Sequence, residues 1–189
     1  VAEHVCPWWV GYLLANPVRR LWQDPARILD PYVSEGMTVL EPGPGMGFFT
    51  LELARRVGAT GQVVAVDTQP RMLGGLRRRA AKAGLADRID ARLVQPDSMG
   101  LTDLTGRIDF TLAFAMVHET GAPGSFFTEV AQATKPGGRL LFVEPRGHVD
   151  VAHFGTELRL AMEAGFTVAG RPSIRLSHSA VLVKVCPVP

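Results

Sequence analysis

Between Thr38 and Thr50 the chain reads TVLEPGPGMGFFT, and this stretch limits the possible folds more than any other. Thr38, Val39 and Leu40 suit a short buried strand, and Glu41 stands where it stops. Gly43, Gly45 and Gly47 follow at every second position, and Phe48 opens a helical pattern. Glycine lacks a Cβ, so such a turn brings backbone close to a ligand and takes φ > 0 without strain. A helix starting here aims its unpaired N–H groups and positive dipole end at the same point. The stretch reads as a binding loop between a strand and a helix. The dinucleotide fingerprint G-x-G-x-x-G has the same outline, but its third glycine would fall on Phe48, where a bulky ring is a poor match. Glu41 also counts against it, because a carboxylate beside the turn repels a pyrophosphate and suits a cationic ligand.

The rest of the chain alternates around this turn. An aromatic opening segment holds Trp8, Trp9 and Tyr12, and Asp24 before Pro25 is an N-cap with proline at the first helical position. Helices are predicted over 47–57, with Phe48, Leu51, Ala54 and Val57 on one face, and over 70–83, with Met72, Leu73, Leu76, Ala80 and Ala83 inward. Two more are predicted over 125–133 and 151–164, the latter with Val151, Phe154, Leu158 and Met162 inward. Strands are predicted over 62–67, 89–95, 108–115 and 139–144, with a final antiparallel pair near 167–171 and 179–185. Strand and helix in alternation, with near-continuous apolar strands, mean a parallel sheet covered on both faces. The fold class is therefore α/β: a Rossmann-like, doubly wound, mostly parallel seven-stranded sheet with an antiparallel C-terminal hairpin. Ligands of such sheets sit beyond the C-terminal ends of the strands. That rule gathers residues 41–47, 67–69, 95–99, 115–119 and 144–153 in one crevice.

With 189 residues, 47% of them hydrophobic, the chain suits a single domain over 1–189, in which 1–35 form a helical segment covering the pocket. A net charge of +2 carries no strong claim about nucleic acid or membrane, and neither partner is expected. Cys6 and Cys186 lie at opposite ends, form no metal spacing, and read as free thiols of a cytoplasmic protein, set against a disulfide between them. No signal-peptide pattern is visible, and the apolar run 110–117 is too short to span a bilayer.

The chain resembles the class I S-adenosylmethionine-dependent methyltransferases. VLEPGPGMG is similar to their first motif and VVAVD to the strand that ends in an acidic residue. Pro96–Asp97–Ser98 resembles the third motif, FAMVHE the fourth, and KPGGRLLFVEP the strand preceded by Pro-Gly-Gly. Within the family the chain looks most like the small methyltransferases related to quinone-biosynthesis C-methylating enzymes. The resemblance implies S-adenosylmethionine as cofactor and a small-molecule methyl acceptor. It puts Gly43, Pro44, Gly45 and Gly47 under the methionine part, with Glu41 near the amino group or the sulfonium. It gives Asp67 both ribose hydroxyls, and has Thr68, Gln69 and Met72 border adenine and ribose. Asp97, with Ser98 beside it, takes the adenine amine. Ala115 offers backbone to the cofactor amine, and Met116 lines the same wall. Pro42 and Pro44 depart from the usual pattern and remove two N–H donors from the loop.

A base is needed only where the nucleophile holds a proton at neutral pH. His118 is the candidate base, set against a histidine bonded to a neighbouring loop. Glu119, His148, Trp9 and Tyr12 are candidate substrate contacts, the last two set against plain packing of an amphipathic helix. The run Arg77, Arg78, Arg79 reads as a solvated helix face. No metal is expected, and a monomer or a homodimer both fit. The competing readings are a non-catalytic cofactor-binding protein and a nicotinamide-dependent oxidoreductase, the latter opposed by Glu41 and Phe48.

Overall fold

The computed structural model describes residue 19 and residues 23–186. Its Cα positions fall into two compact units, one running to Val94 and the other from Gln95.

In the first unit, helix α1 (Pro25–Leu29) begins at Asp24, whose side chain accepts from the Ala26 N–H at 3.0 Å, as its sequence predicts. Strands β1 (Thr38–Pro42), β2 (Gln62–Asp67) and β3 (Ile89–Leu93) run parallel with β2 central; Leu40 lies opposite Val64, and Ala65 opposite Ala91. Helix α2 (Thr50–Arg56) packs on β2, and α3 (Pro70–Lys82) packs on β2 and β3. Leu73 and Leu76 of α3 are fully buried against Ala65. Burying such side chains is worth roughly 1.5–3 kcal/mol each, which is what seats the helices.

The second unit holds β4 (Ile108–Phe114), α4 (Pro123–Ala133), β5 (Thr134–Pro145), α5 (Val151–Glu163), β6 (Phe166–Gly170) and β7 (Ser177–Lys184). Strand β4 pairs parallel with β5, while β7 pairs antiparallel with both β5 and β6. Leu140, Leu141, Phe142 and Val143 are all buried, which marks β5 as covered on both faces. The mostly parallel, Rossmann-like seven-stranded sheet and its antiparallel C-terminal hairpin are therefore those read from the sequence.

Several details differ. The helix after the glycine turn starts at Thr50, three residues later than expected, because Gly47, Phe48 and Phe49 are spent on the turn itself. Strand β5 starts at Thr134: Ile108 faces Thr134 but Phe110 faces Arg139, so residues 135–138 bulge out of the ladder. Ala83, expected inward, is exposed. On α5 the inward face is Phe154, Glu157, Leu158 and Ala161, while Val151 and Met162 are 74% and 51% exposed. A glutamate replaces an aliphatic residue on the buried face. No described helix is long and apolar enough to cross a membrane. Cys186 is exposed; Cys6, Trp9 and Tyr12 lie outside the described residues.

Candidate active site

The glycine turn is held from three sides within the first unit. The Gly43 N–H donates to the Val66 carbonyl at 2.9 Å, tying the turn to the end of β2. A Cβ on Gly47 would come within 2.5 Å of Leu76 Cδ1, and its φ of +85° is in the left-handed region, so only glycine lets the turn lie on α3. Arg77 and Arg78 are exposed, as a solvated helix face expects, with Arg77 donating to the Ala91 carbonyl at 2.6 Å; Arg79 is half-buried and donates to the Met46 carbonyl. Arg19 lies over the ring of Phe48, 4.5 Å from its centroid.

Gly45 is different. Its φ is +54°, and no atom of the described residues lies within 4 Å of where a Cβ would stand. Glu41, on β1 before the turn, is 3% exposed and its Oε2 has no hydrogen-bond partner among the described residues. Burial pushes the Glu41 carboxyl up to about 8, with the Thr50 hydroxyl drawing it back and Asp67 pushing it further. An unpartnered buried carboxyl is expensive unless something answers it. Asp67 ends β2 one step past the Pro42–Val66 pair, and its Oδ1 accepts from the Gln69 N–H at 2.8 Å. Thr68 is exposed, Gln69 half-buried and Met72 buried. A buried acid, an open glycine and a carboxylate at the neighbouring strand tip are what a cationic nucleoside requires, so the residues present fit S-adenosylmethionine.

In the second unit, Ala115 follows β4 with φ +56°, a strained value for a residue with a Cβ. Its N–H is taken by the Val143 carbonyl at 2.7 Å, which leaves its carbonyl as the group able to receive an amine. Met116 is half-buried beside it. Asp97 is exposed on a short turn, and Ser98 Oγ accepts from the Gly100 N–H at 3.1 Å. Glu129 of α4 braces that turn by accepting from the Met99 N–H at 3.0 Å. Ser98 thus closes its own loop.

The candidate base is placed by residues outside the sequence-based candidate set. His118 Nδ1 is hydrogen-bonded to Glu144 Oε2, and Glu144 Oε1 accepts from the Val117 N–H at 2.8 Å. Glu144 ends β5 and is fully buried. His118 Nε2 lies 3.4 Å from His148 Nδ1 and 3.9 Å from Glu119 Oε1, so the sequence-predicted trio of His118, Glu119 and His148 does come together. Burial lowers the His118 pKa, but the bond to Glu144 and the charges of Glu144, Glu119 and Glu157 outweigh it and leave the imidazole above its ordinary value. Glu157, from α5, is 1% exposed, and neither oxygen has a hydrogen-bond partner among the described residues. Burial, then the charge of Glu144, pushes Glu157 up to about 7, with His118 opposing. Its neighbour on α5 is His153, whose Nε2 is 3.4 Å from Oε1. Among the described residues, no group of three or more His, Cys, Asp or Glu side chains is arranged to hold a metal ion. The signal that could have found Glu157 is its place in the sequence, i+3 from Phe154 and one before Leu158 on an apolar face.

The sequence matches the methyltransferase-domain family over residues 33–169. It is 32% identical to the ubiquinone/menaquinone biosynthesis C-methyltransferase of Idiomarina loihiensis over 133 residues, 70% of this chain and 51% of that protein. The corresponding enzyme of Pseudomonas putida is 33% identical over 133 residues, 70% of this chain and 50% of that one. The chain spans about half the length of the curated relatives it matches. Among solved structures, a SAM-dependent methyltransferase from Aquifex aeolicus matches with a TM-score of 0.85 at 24% identity, covering 96% of this chain and all of that one. The [4+2]-cyclase SpnF matches at 0.68 and 19% identity, over 79% of this chain and 59% of that one. At these identities the structural matches speak to fold alone.

Proposed function

The chain belongs to the class I S-adenosylmethionine-dependent methyltransferases, and from that premise we propose that it moves a methyl group from S-adenosylmethionine to a small-molecule acceptor. The observation that carries this reading is the buried Glu41 carboxyl, whose Oε2 has no hydrogen-bond partner among the described residues, at the head of a turn whose Gly45 is open among the same residues. S-adenosylmethionine supplies an activated methyl on a positively charged sulfur. The chain's own part is to hold and align. Glu41 answers the positive charge, and the turn from Gly43 through Pro44 and Gly45 to Gly47 passes beneath the methionine part. Asp67 accepts from the two ribose hydroxyls, since one carboxylate takes two charge-assisted bonds at once. Thr68, Gln69 and Met72 border the base. In the same proposal Asp97 and Ser98 meet the adenine amine, the Ala115 carbonyl receives the cofactor amine, and Met116 lines the wall beside it. Such placement supplies a large share of the rate in a transfer that needs in-line alignment.

His118 takes the acceptor's proton at Nε2 while the nucleophile's electron pair forms the new bond to the methyl. The electron pair of the broken bond stays on sulfur. An acceptor of this kind carries an ionisable proton. The names of the curated relatives support a phenolic ring methylated at carbon, because losing the phenolic proton makes the neighbouring carbon nucleophilic. Incubation with S-adenosylmethionine and 1,4-dihydroxynaphthalene should release S-adenosylhomocysteine and give a ring-methylated product by mass spectrometry and NMR. Calorimetry should detect S-adenosylhomocysteine binding and no NADH binding. Binding without product from any phenol, amine or thiol acceptor would favour a non-catalytic cofactor-binding protein, and binding of NADH alone would overturn the reading.

A further inference from the structure

Two buried carboxyls in the second unit lie outside the proposed cofactor contacts. Glu144 is fully buried at the end of β5 and spends one oxygen on the Val117 amide and the other on His118 Nδ1. Glu157 of α5 is 1% exposed and without a hydrogen bond among the described residues, with His153 Nε2 3.4 Å from Oε1, and its charge is felt at both His118 and Glu144. We infer that Glu144 and Glu157 are positioning residues that act through His118: Glu144 fixes the imidazole with its proton on Nδ1 and its lone pair on Nε2, and Glu157 adds a second buried carboxyl whose charge strengthens that nitrogen as a base.

The geometry supplies each part. A carboxylate that already accepts a backbone amide is held rigidly, so the ring bonded to it is held too. An acceptor on Nδ1 settles the tautomer, because a neutral imidazole has one N–H. His148 Nδ1 stands 3.4 Å from Nε2 on an exposed side chain, which marks where a proton-bearing group reaches that nitrogen. The charged and titratable neighbours are few. Glu119 lies on the same turn as His118, and His148 and Asp150 belong to the loop before α5 and its cap. His153 and Glu157 come from α5 itself, and His178 of β7 lies opposite Glu144. Glu157 is felt at both His118 and Glu144, and burial keeps water from screening it. The balance of charge favours an imidazolium formed by proton transfer.

This inference rests on His118 being the base of the proposed reaction, and its test reads the imidazole directly. In the full-length protein labelled with 15N-histidine, the His118 signals are those missing from His118→Asn. Long-range 1H–15N spectra across a pH titration should find the neutral ring protonated on Nδ1. Glu144→Gln should lower proton affinity about tenfold or more and mix the tautomers. Glu157→Gln should lower it by a smaller factor, roughly two- to fivefold, and leave the tautomer alone. A wild-type ring protonated on Nε2 overturns the Glu144 role, even if Glu144→Gln does not fold. An affinity unmoved by Glu157→Gln overturns the Glu157 role. S-adenosylhomocysteine binding, measured alongside by calorimetry, should be unchanged in both variants; its absence in the wild type would fail the cofactor reading and leave the NMR result standing.

Discussion

Glu41 and Asp67 stand at the C-terminal ends of two paired parallel strands, Pro42 standing opposite Val66, and the charge of Asp67 makes Glu41 harder to ionise. Burial does so more strongly, and Glu41 has no hydrogen-bond partner at Oε2 among the described residues. Near neutral pH it therefore carries a proton for much of the time, its titration lying at about 8. A cation arriving beside it favours the charged form and expels that proton. Calorimetry with S-adenosylmethionine at pH 7, in buffers of different ionisation enthalpy, should register release of up to about one proton per site. In Glu41→Gln the release should vanish. Equal release from that variant would move the effect away from Glu41.

Asp67 has a different part. Its Oδ1 already accepts from the Gln69 N–H, so in the proposed site the same carboxylate would both shape the turn and meet the ribose. Asp67→Asn keeps an acceptor for that amide but loses the charge that strengthens bonds to vicinal hydroxyls. Hydrogen bonds to charged groups are worth about 1.5–3 kcal/mol each, so affinity should fall roughly tenfold to several hundredfold. Full affinity in Asp67→Asn would remove the ribose assignment.

The glycines of the turn divide into two kinds, and substitution separates them. Gly47→Ala drives a Cβ into Leu76 and puts alanine at φ +85°. Strain and overpacking together should cost about 2–4 kcal/mol in urea denaturation. Gly45→Ala meets no described residue within 4 Å, so it should cost only about 1–2 kcal/mol of backbone strain. Its Cβ enters the space proposed for the cofactor, so it should weaken S-adenosylhomocysteine binding out of proportion to stability. Two variants that lose binding only as far as they lose stability would contradict a guest above Gly45.

The turn was legible in the sequence because backbone geometry leaves a residue-level trace: glycine wherever φ is positive or a helix comes close. Strand positions were legible for a similar reason, since β1, β2 and β4 are apolar along most of their length. The register of α5 was not. Counting apolar residues placed Val151 and Met162 inward, while the structure buries Glu157 and Ala161. Hydropathy assigns glutamate to the solvent, and that rule breaks where a buried charge serves chemistry. The partner of His118 was hidden for another reason. Glu144 lies 26 residues away in sequence and meets His118 only because β4 and β5 are paired.

Stability should also depend on pH in a definite direction. Glu41 and Glu157 titrate at about 8 and about 7, both above the ordinary 4.5. Between those values the native chain holds protons that the unfolded chain has lost. Their contribution is therefore whole below about 4.5 and is lost as pH rises through 7 and then 8. His118, raised above 6.5, acts in the same sense: its contribution is whole below 6.5 and lost above its folded value. Each group supplies at most about 1.4 kcal/mol per pH unit within its window. Melting temperature should fall between pH 6 and pH 8.5, and Glu41→Gln with Glu157→Gln should flatten the slope. A melting temperature that rises over this range would mean that other groups dominate.

Glu157 permits a sharper contrast between stability and chemistry. A buried carboxyl without a hydrogen bond destabilises the native state, and at pH 8 it does so mostly as an anion. Methionine fills nearly the same volume on the inward face of α5 and has nothing to desolvate. Glu157→Met should therefore raise stability at pH 8 by about 1–3 kcal/mol in urea denaturation. It should also slow methyl transfer above about pH 8, where Glu157 is charged and His118 is the free base, because His118 loses a neighbour that strengthens it as a base. A residue whose removal strengthens the fold and weakens the reaction is kept for the reaction. Loss of stability in Glu157→Met would mean instead that the carboxyl is bonded in solution, with His153, 3.4 Å away, as the partner to test next.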